Sequence, residues 1–203
     1  MSKLLFAFLD NNLGRTLDEA FGMEIMRVAS MLDPLVDHEA IEQIAPAEHE
    51  GFMFAVERME NIQKEMEPLH LAHWNETEEH RHDLPFSPDY AAFIHYEQAG
   101  RYILFTIRRH ERLVGNCAMY IDRSTHTQTL IASEDTLYLL PEARRGTVAK
   151  QFVAYCEAAL KRLRVKEVTV TVKTVNRAGL FFQRLGYRHV ENGLTKILEE
   201  DHV

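Results

Sequence analysis

Cysteine is scarce in this chain. Only Cys117 and Cys156 occur, both inside apolar patterns, so no disulfide framework is expected and a reducing cytoplasm fits. Long hydrophobic runs are missing too. No stretch approaches the roughly 20 apolar residues that span a bilayer, and the run over residues 102–107 is interrupted by Thr106 and closed by Arg108 and Arg109. A membrane crossing is not expected. The first ten residues hold one Lys and a short apolar run, without the longer apolar region and small-residue cleavage site of a secretory signal. Positive charge is in deficit: 23 Lys+Arg stand against 31 Asp+Glu, a net charge of −8. That balance disfavours non-specific binding to nucleic acid, which needs clustered Lys and Arg, although a local basic patch stays open. Internal repeats and low-complexity segments are also lacking.

What is present is ordinary globular material. The 203 residues suffice for one domain with an appendage, and 46% hydrophobic with 27% charged residues argues against wholesale disorder. Residues 16–32 place Leu17, Ala20, Phe21, Ile25, Met26, Val28, Ala29 and Leu32 mostly at helical spacing, and Asp33-Pro34 ends that helix. Residues 1–37 therefore read as a helical N-terminal extension, with the main domain over residues 38–203. A weak strand is expected over 40–45. A helix then opens at Pro46, with Phe52, Val56, Met59, Ile62 and Met66 on one stripe, and stops at Pro68. Residues 69–74 add a further turn, and a polar, mostly acidic loop fills 75–87.

Pro88 introduces a second helix over 89–98, closed by Gly100. Residues 102–107 and 112–121 read as an antiparallel hairpin, and 127–140 as a long, central third strand. The clearest helix spans 147–163, with Val148, Phe152, Tyr155, Cys156, Ala159, Leu160 and Leu163 on one face. Val168, Val170 and Val172 alternate with Thr169 and Thr171 as a strand. A short helix over 176–185 ends at Gly186, and 187–198 reads as a closing strand. Early hairpins and a late helical crossover predict an α/β domain with a mixed sheet.

The most informative stretch is Leu137-Tyr-Leu-Leu-Pro-Glu-Ala-Arg-Arg-Gly-Thr-Val-Ala-Lys150. A strand ends, a tight turn follows, and the strongest helix begins. The free N–H groups and dipole of a helix start suit a pyrophosphate, Arg144 and Arg145 add charge, and Gly146 permits close approach. The same residues also make an ordinary solvated strand-to-helix turn.

Arg144-Arg145-Gly146-Thr147-Val148-Ala149 resembles the acetyl-CoA signature of the GNAT superfamily of N-acetyltransferases, Arg/Gln-x-x-Gly-x-Gly/Ala, with Thr147 where Gly is usual. The segment from Asn176 to Tyr187 resembles the second hallmark, an Asn-led helix ending in Leu-Gly-Phe/Tyr. The element order fits over roughly residues 38–198. The His70-x-x-His73-Trp74 segment is similar to short GNAT-like proteins of bacteriophages and prophages. The resemblance implies a GNAT-like mixed central sheet with flanking helices. It also implies acetyl-CoA in a split between strands ending near Leu140 and Val172, and acetyl transfer to a primary amine. Leu139 and Leu140 would pair with the pantetheine arm, and N–H groups from Arg145, Gly146, Thr147, Val148 and Ala149 with the pyrophosphate. Asn176 and the Phe181/Phe182 face would lie along the cofactor's other side.

Direct attack by an amine needs a base, and the departing thiolate needs an acid. The family's usual acid, a Tyr four residues before the Gly, is Phe182 here, and the helix is one residue shorter than the common pattern. Glu134 and Asp135 are the base candidates. Alternation puts Glu134 on the face of Tyr138 and Asp135 on that of Leu137 and Leu139, an assignment that a bulge would change. Both also read as a solvated acidic pair. Tyr138 and Tyr187 are candidate acids, or packed aromatics. His70, His73, His80 and His82 read as surface histidines rather than zinc ligands, so no metal is expected. Cys117 and Cys156 read as small buried hydrophobes.

Two functions follow: an N-acetyltransferase, or a non-catalytic GNAT-fold binding or structural protein. The acceptor side carries Glu76, Glu78, Glu79 and Asp83 against Arg81. That excess favours a cationic amine such as a protein lysine, a polyamine or an aminoglycoside-like compound. The apolar stripe of residues 1–37 needs cover from the domain itself or from a second copy in a homodimer.

Overall fold

The computed structural model describes residues 3–32, 34–77 and 84–196. The chain divides into two compact units, Met1–Thr171 and Val172–Val203. In the first, α1 (Lys3–Asn11) and α2 (Glu19–Leu32) precede α3 (His38–Glu42), β1 (Ala47–His49), β2 (Phe52–Glu57), α4 (Met59–Thr77) and α5 (Tyr90–Gln98). Then come β3 (Tyr102–Arg109), β4 (Arg112–Arg123), β5 (Leu130–Leu139), a 3-10 turn at Pro141–Ala143, α6 (Val148–Arg162) and β6 (Val165–Thr169). The second unit holds α7 (Ala178–Arg184).

One six-stranded sheet runs in chain order, β1-β2-β3-β4-β5-β6. Every pairing is antiparallel except β5 with β6, which α6 connects as a crossover. The α/β fold with a mixed sheet and flanking helices is as expected. Alternation along β3 explains the two cores. Ile103, Phe105 and Ile107 face the α6 side, where Phe152, Cys156 and Leu160 close a mainly aliphatic core. Tyr102 and Leu104 face the other way, onto Met59, Ile62, Met66 and Leu69 of α4 and Phe93 of α5.

Four expectations for the first 77 residues are corrected. Residues 40–45 contain no strand: Asp37 caps α3, its carboxylate accepting the Glu39 N–H at 3.1 Å, and Ile41 and Ile44 are buried one turn apart. No helix opens at Pro46. Glu50 (φ 51°) and Gly51 (φ 76°) form a two-residue left-handed turn joining β1 to β2. Phe52 and Phe54 are buried while Met53 is exposed, so a period of two overrides the helical spacing of Phe52 and Val56. Pro68 does not stop α4, which runs through it. The buried Met66 and Leu69 on either side hold the helix against the sheet, offsetting a missing backbone hydrogen bond. The loop expected from residue 75 is helical through Thr77, and Glu78, Glu79, His80, Arg81, His82 and Asp83 lie outside the described residues.

Later elements follow the pattern more closely. Asp89 caps α5, Gly100 turns at φ 63°, β3 and β4 form the hairpin, and α6 starts where its stripe starts. The third strand is shorter than expected at both ends, and β6 begins earlier, at Val165. Residues 188–196 are exposed, Tyr187 is half-buried, and none of them forms a strand, correcting the closing strand as far as the described residues reach.

Candidate active site

The register of β4 against β5 decides which acid faces which side. Ala118 pairs with Thr136 and Met119 with Glu134, so Asp135 is an extra residue, a β-bulge. The bulge reverses the faces that simple alternation assigns. Glu134 lies opposite Met119 of the α6-side core, and its Oε2 accepts the Thr171 N–H at 3.2 Å. Asp135 turns to the α4/α5 side, where the Tyr102 hydroxyl donates to its Oδ2 at 3.0 Å. Burial raises the Asp135 carboxyl above the ordinary aspartate range, and the Tyr102 hydrogen bond opposes that rise.

Around this carboxylate the sheet is aromatic. Tyr102 lies 5.0 Å from Tyr120 and 5.3 Å from Phe93, centroid to centroid, and Tyr120 lies 5.5 Å from Tyr96. Burial, and then the Asp135 charge, push the Tyr120 phenol up to about 12.

Tyr138 stands further along the same face, buried, its ring 5.4 Å from that of His73 and under the Arg144 guanidinium at 5.2 Å. Burial raises its phenol, the Glu76 carboxylate adds to the rise, and Arg144 opposes it. Arg144 itself is fully engaged. Its Nε donates to the Leu139 carbonyl at 2.6 Å, and its two terminal nitrogens clasp Glu76 of α4 at 2.8 and 2.7 Å. Sequence reading paired neither residue with the other, because the contact spans 68 positions. Leu139 is buried in β5, and the Leu140 N–H donates to Val114 at 2.8 Å. The β5–β6 pairing covers only Leu130 to Ser133, so among the described residues β5 beyond Ser133 has no strand partner on that edge.

The turn into α6 is an anion cradle in its backbone. Among the described residues, the N–H groups of Gly146, Thr147, Ala149 and Lys150 donate to no backbone carbonyl. Gly146 is left-handed at φ 58°, Val148 is buried beneath the turn, Ala149 is half-buried, and Arg145 is exposed. This donor set fits a pyrophosphate. One group is discordant. The β1–β2 turn lays Glu50 over the cradle: Thr147 Oγ1 donates to Glu50 Oε1 at 2.8 Å, and His49 Nε2 lies 2.7 Å from the same hydroxyl. A Cβ on Gly146 would come within 3.3 Å of Glu50 Oε2. The sequence carries no sign of His49 and Glu50 at the site, because the spacing after Pro46 predicts a helix where the β1–β2 turn stands.

In the second unit, Asn176 Oδ1 accepts the Ala178 N–H at 2.9 Å at the start of α7. Phe182 is buried between Phe181 and Tyr187, ring centroids 5.4 and 5.0 Å away. The histidine expectation is corrected in part. His70 is buried, stacked on Tyr90 at 5.7 Å, with burial and then His73 pushing its imidazole down to about 4. No group of side chains suited to a metal occurs among the described residues. Cys117 and Cys156 are free and buried.

Residues 100–189 match the family model described as Acetyltransferase (GNAT) domain. The fold resembles an aminoglycoside acetyltransferase from an uncultured soil metagenomic sample, solved in complex with sisomicin, at TM-score 0.57 and 14% identity over 73% of this chain and 95% of that one. It also resembles a ribosomal-protein-alanine N-acetyltransferase from Brucella melitensis biovar Abortus 2308 (TM-score 0.57, 15% identity, 73% and 99% covered). An acetyltransferase of Trypanosoma brucei is similar too (TM-score 0.54, 16% identity, 72% and 99% covered). No curated protein matches. Residues 100–189 are thus similar to a GNAT acetyltransferase domain, and the fold is like that of these acetyltransferases, which supports acetyl transfer in general.

Proposed function

We propose that the protein is an acetyl-CoA-dependent N-acetyltransferase that acts on a primary amine by direct attack. The observation that carries this reading is the bulge that presents Asp135 on the aromatic face of β5, the strand whose end opens the α6 cradle. Bound acetyl-CoA supplies an activated acetyl thioester. Asp135, its proton affinity raised by burial, takes the proton that the amine loses as its nitrogen–carbon bond forms. Tyr138, held beneath Arg144 and beside His73, returns a proton to the sulfur as the carbon–sulfur bond breaks. Gly146, Thr147 and Ala149 hold the pyrophosphate through their N–H groups, with the exposed Arg145 as the nearby cation not engaged by Glu76. Calorimetry with acetyl-CoA tests the reading: saturable binding is expected, and no binding at millimolar ligand would end it.

The finer assignments belong to the same proposal. The acceptor is a cationic amine, on the chain's excess of acid, and its affinity should fall with added salt. Residues 1–37 form an extension that pairs two copies, because Leu13, Leu17, Met23 and Met26 of the α1–α2 region are largely exposed. Removal of those residues should convert a dimer to a monomer on size exclusion. The setting is cytoplasmic (the host's, for a phage-encoded chain), consistent with two free buried thiols.

A second reading, a GNAT-fold binding protein without turnover, is favoured by one arrangement. Glu50 accepts from the Thr147 hydroxyl at the cradle and Glu76 holds Arg144, so two carboxylates stand where an anion would approach. Thiol release from acetyl-CoA with any amine, lost in Asp135→Asn, would exclude it.

A further inference from the structure

The far end of α6 carries a second feature that acetyl transfer leaves unused. A cavity of about 600 Å³ lies between the segment leading into α3, the β4–β5 connection and the α6–β6 junction. Its volume is that of a site for a nucleotide-sized molecule. Its apolar wall comes from Val36 and Leu163, both buried, with the half-buried Leu35 and Leu130.

Arg123, Arg162, Arg164 and Lys166 line the rest. None of the four side chains pairs with a carboxylate among the described residues; the Arg123 guanidinium donates to the Gln128 carbonyl at 2.8 Å, and only the Arg123 backbone N–H reaches an acid, Asp122. Asp37 is the one acid among the described lining residues, and it accepts the Glu39 N–H as the cap of α3. Four exposed cations therefore share one cavity in a chain of net charge −8, against the single acid Asp37 among the described lining residues.

The negative end of the α6 dipole accounts for Arg162 in the last turn but not for Arg123 and Lys166, which come from β4 and β6. Arg164 keeps a long cationic side chain at φ 65°, a backbone region that favours glycine after a helix. The cradle is at the opposite end of the 15-residue helix, about 22 Å away.

We propose that this cavity binds a small organic phosphomonoester. The phosphate is held by the forked guanidinium groups of Arg162 and Arg164 and by Lys166, and the ligand's apolar portion rests on Leu35, Leu130 and Leu163. The site is separate from the acetyl-CoA cradle, so it stands or falls independently of the transferase reading.

The test is calorimetry on the full chain with three probes: AMP, inorganic phosphate and adenosine. Saturable binding of one AMP per chain is expected, at least about tenfold tighter than phosphate and tighter than adenosine, because both portions contribute. Arg164→Gln with Lys166→Gln should weaken AMP by about tenfold or more and leave acetyl-CoA binding within about twofold. If that double variant melts early, the single exposed change Arg162→Gln is read for the same loss. No saturable AMP binding, equal affinity in the variants, or displacement of AMP by acetyl-CoA with loss in Arg145→Ala would each overturn the proposal.

Discussion

The two faces of the central sheet are built for different tasks. On the α6 side, Phe54, Phe105, Phe152 and Leu160 pack around two buried thiols and the Tyr155 phenol, with no carboxylate among the buried core residues. On the α4/α5 side stand Asp135, Tyr102, Tyr120, Tyr138, His70 and Glu97, each with its proton affinity moved from the ordinary value by burial first. The bulge at Asp135 decides which of the two adjacent acids faces which side. The lesson is that the α6 face holds the sheet in shape, while the opposite face uses burial to adjust acids and phenols.

Substitutions on each face should separate these tasks. The largest effect is expected from Asp135→Asn, which should lower acetyl transfer by about 10²–10⁴-fold, measured as thiol release, with acetyl-CoA affinity moving less than about twofold. Phe152→Ala, on the other face, should cost about 3–5 kcal/mol of unfolding free energy in a urea titration. Its ring is fully buried against Phe54, centroids 5.4 Å apart. Loss of transfer at temperatures where that variant stays folded would blur the division.

A smaller effect belongs to Glu97, a buried carboxylate that accepts the Met59 N–H at 2.9 Å and whose affinity is raised to about 7 by burial. Its folded value exceeds its unfolded one, so the folded state holds the extra proton between about pH 4.5 and 7. The stability it gives is complete below that window and is lost as pH rises through about 7. Glu97→Gln should remove a pH slope on the order of 3 kcal/mol over this range, leaving the slope of like sign from Asp135. Smallest is Glu50→Gln at the cradle. Removing that carboxylate should tighten acetyl-CoA by a few-fold, about 1 kcal/mol or less, because the group is half exposed.

What could be read from the sequence was local. The stripe of α6, the β3–β4 hairpin, the helix that follows Pro88 and the Gly186 stop are written in spacing and turn residues, and they stand close to where expected. The β1–β2 hairpin was hidden because Phe52, Val56 and Met59 also fit a helical stripe, and only the positive φ at Glu50 and Gly51 decides otherwise. Pro68 was overruled by burial on either side of it. At the site, Glu134 and Asp135 were both legible as candidates. Their faces depend on a register shift with β4, which no pattern within β5 reveals. The clasp of Glu76 on Arg144 and the reach of Glu50 to Thr147 join residues far apart in the chain, so spacing carried no sign of them.

The most direct test of Asp135 as the base is the acid limb of kcat/KM for acetyl transfer, compared between the native chain and Tyr102→Phe. The Tyr102 hydrogen bond holds the Asp135 affinity down against burial. Its removal should therefore move the limb to higher pH, while Asp135→Asn abolishes it. A limb that stays in place in Tyr102→Phe, with transfer otherwise intact, would contradict the assignment.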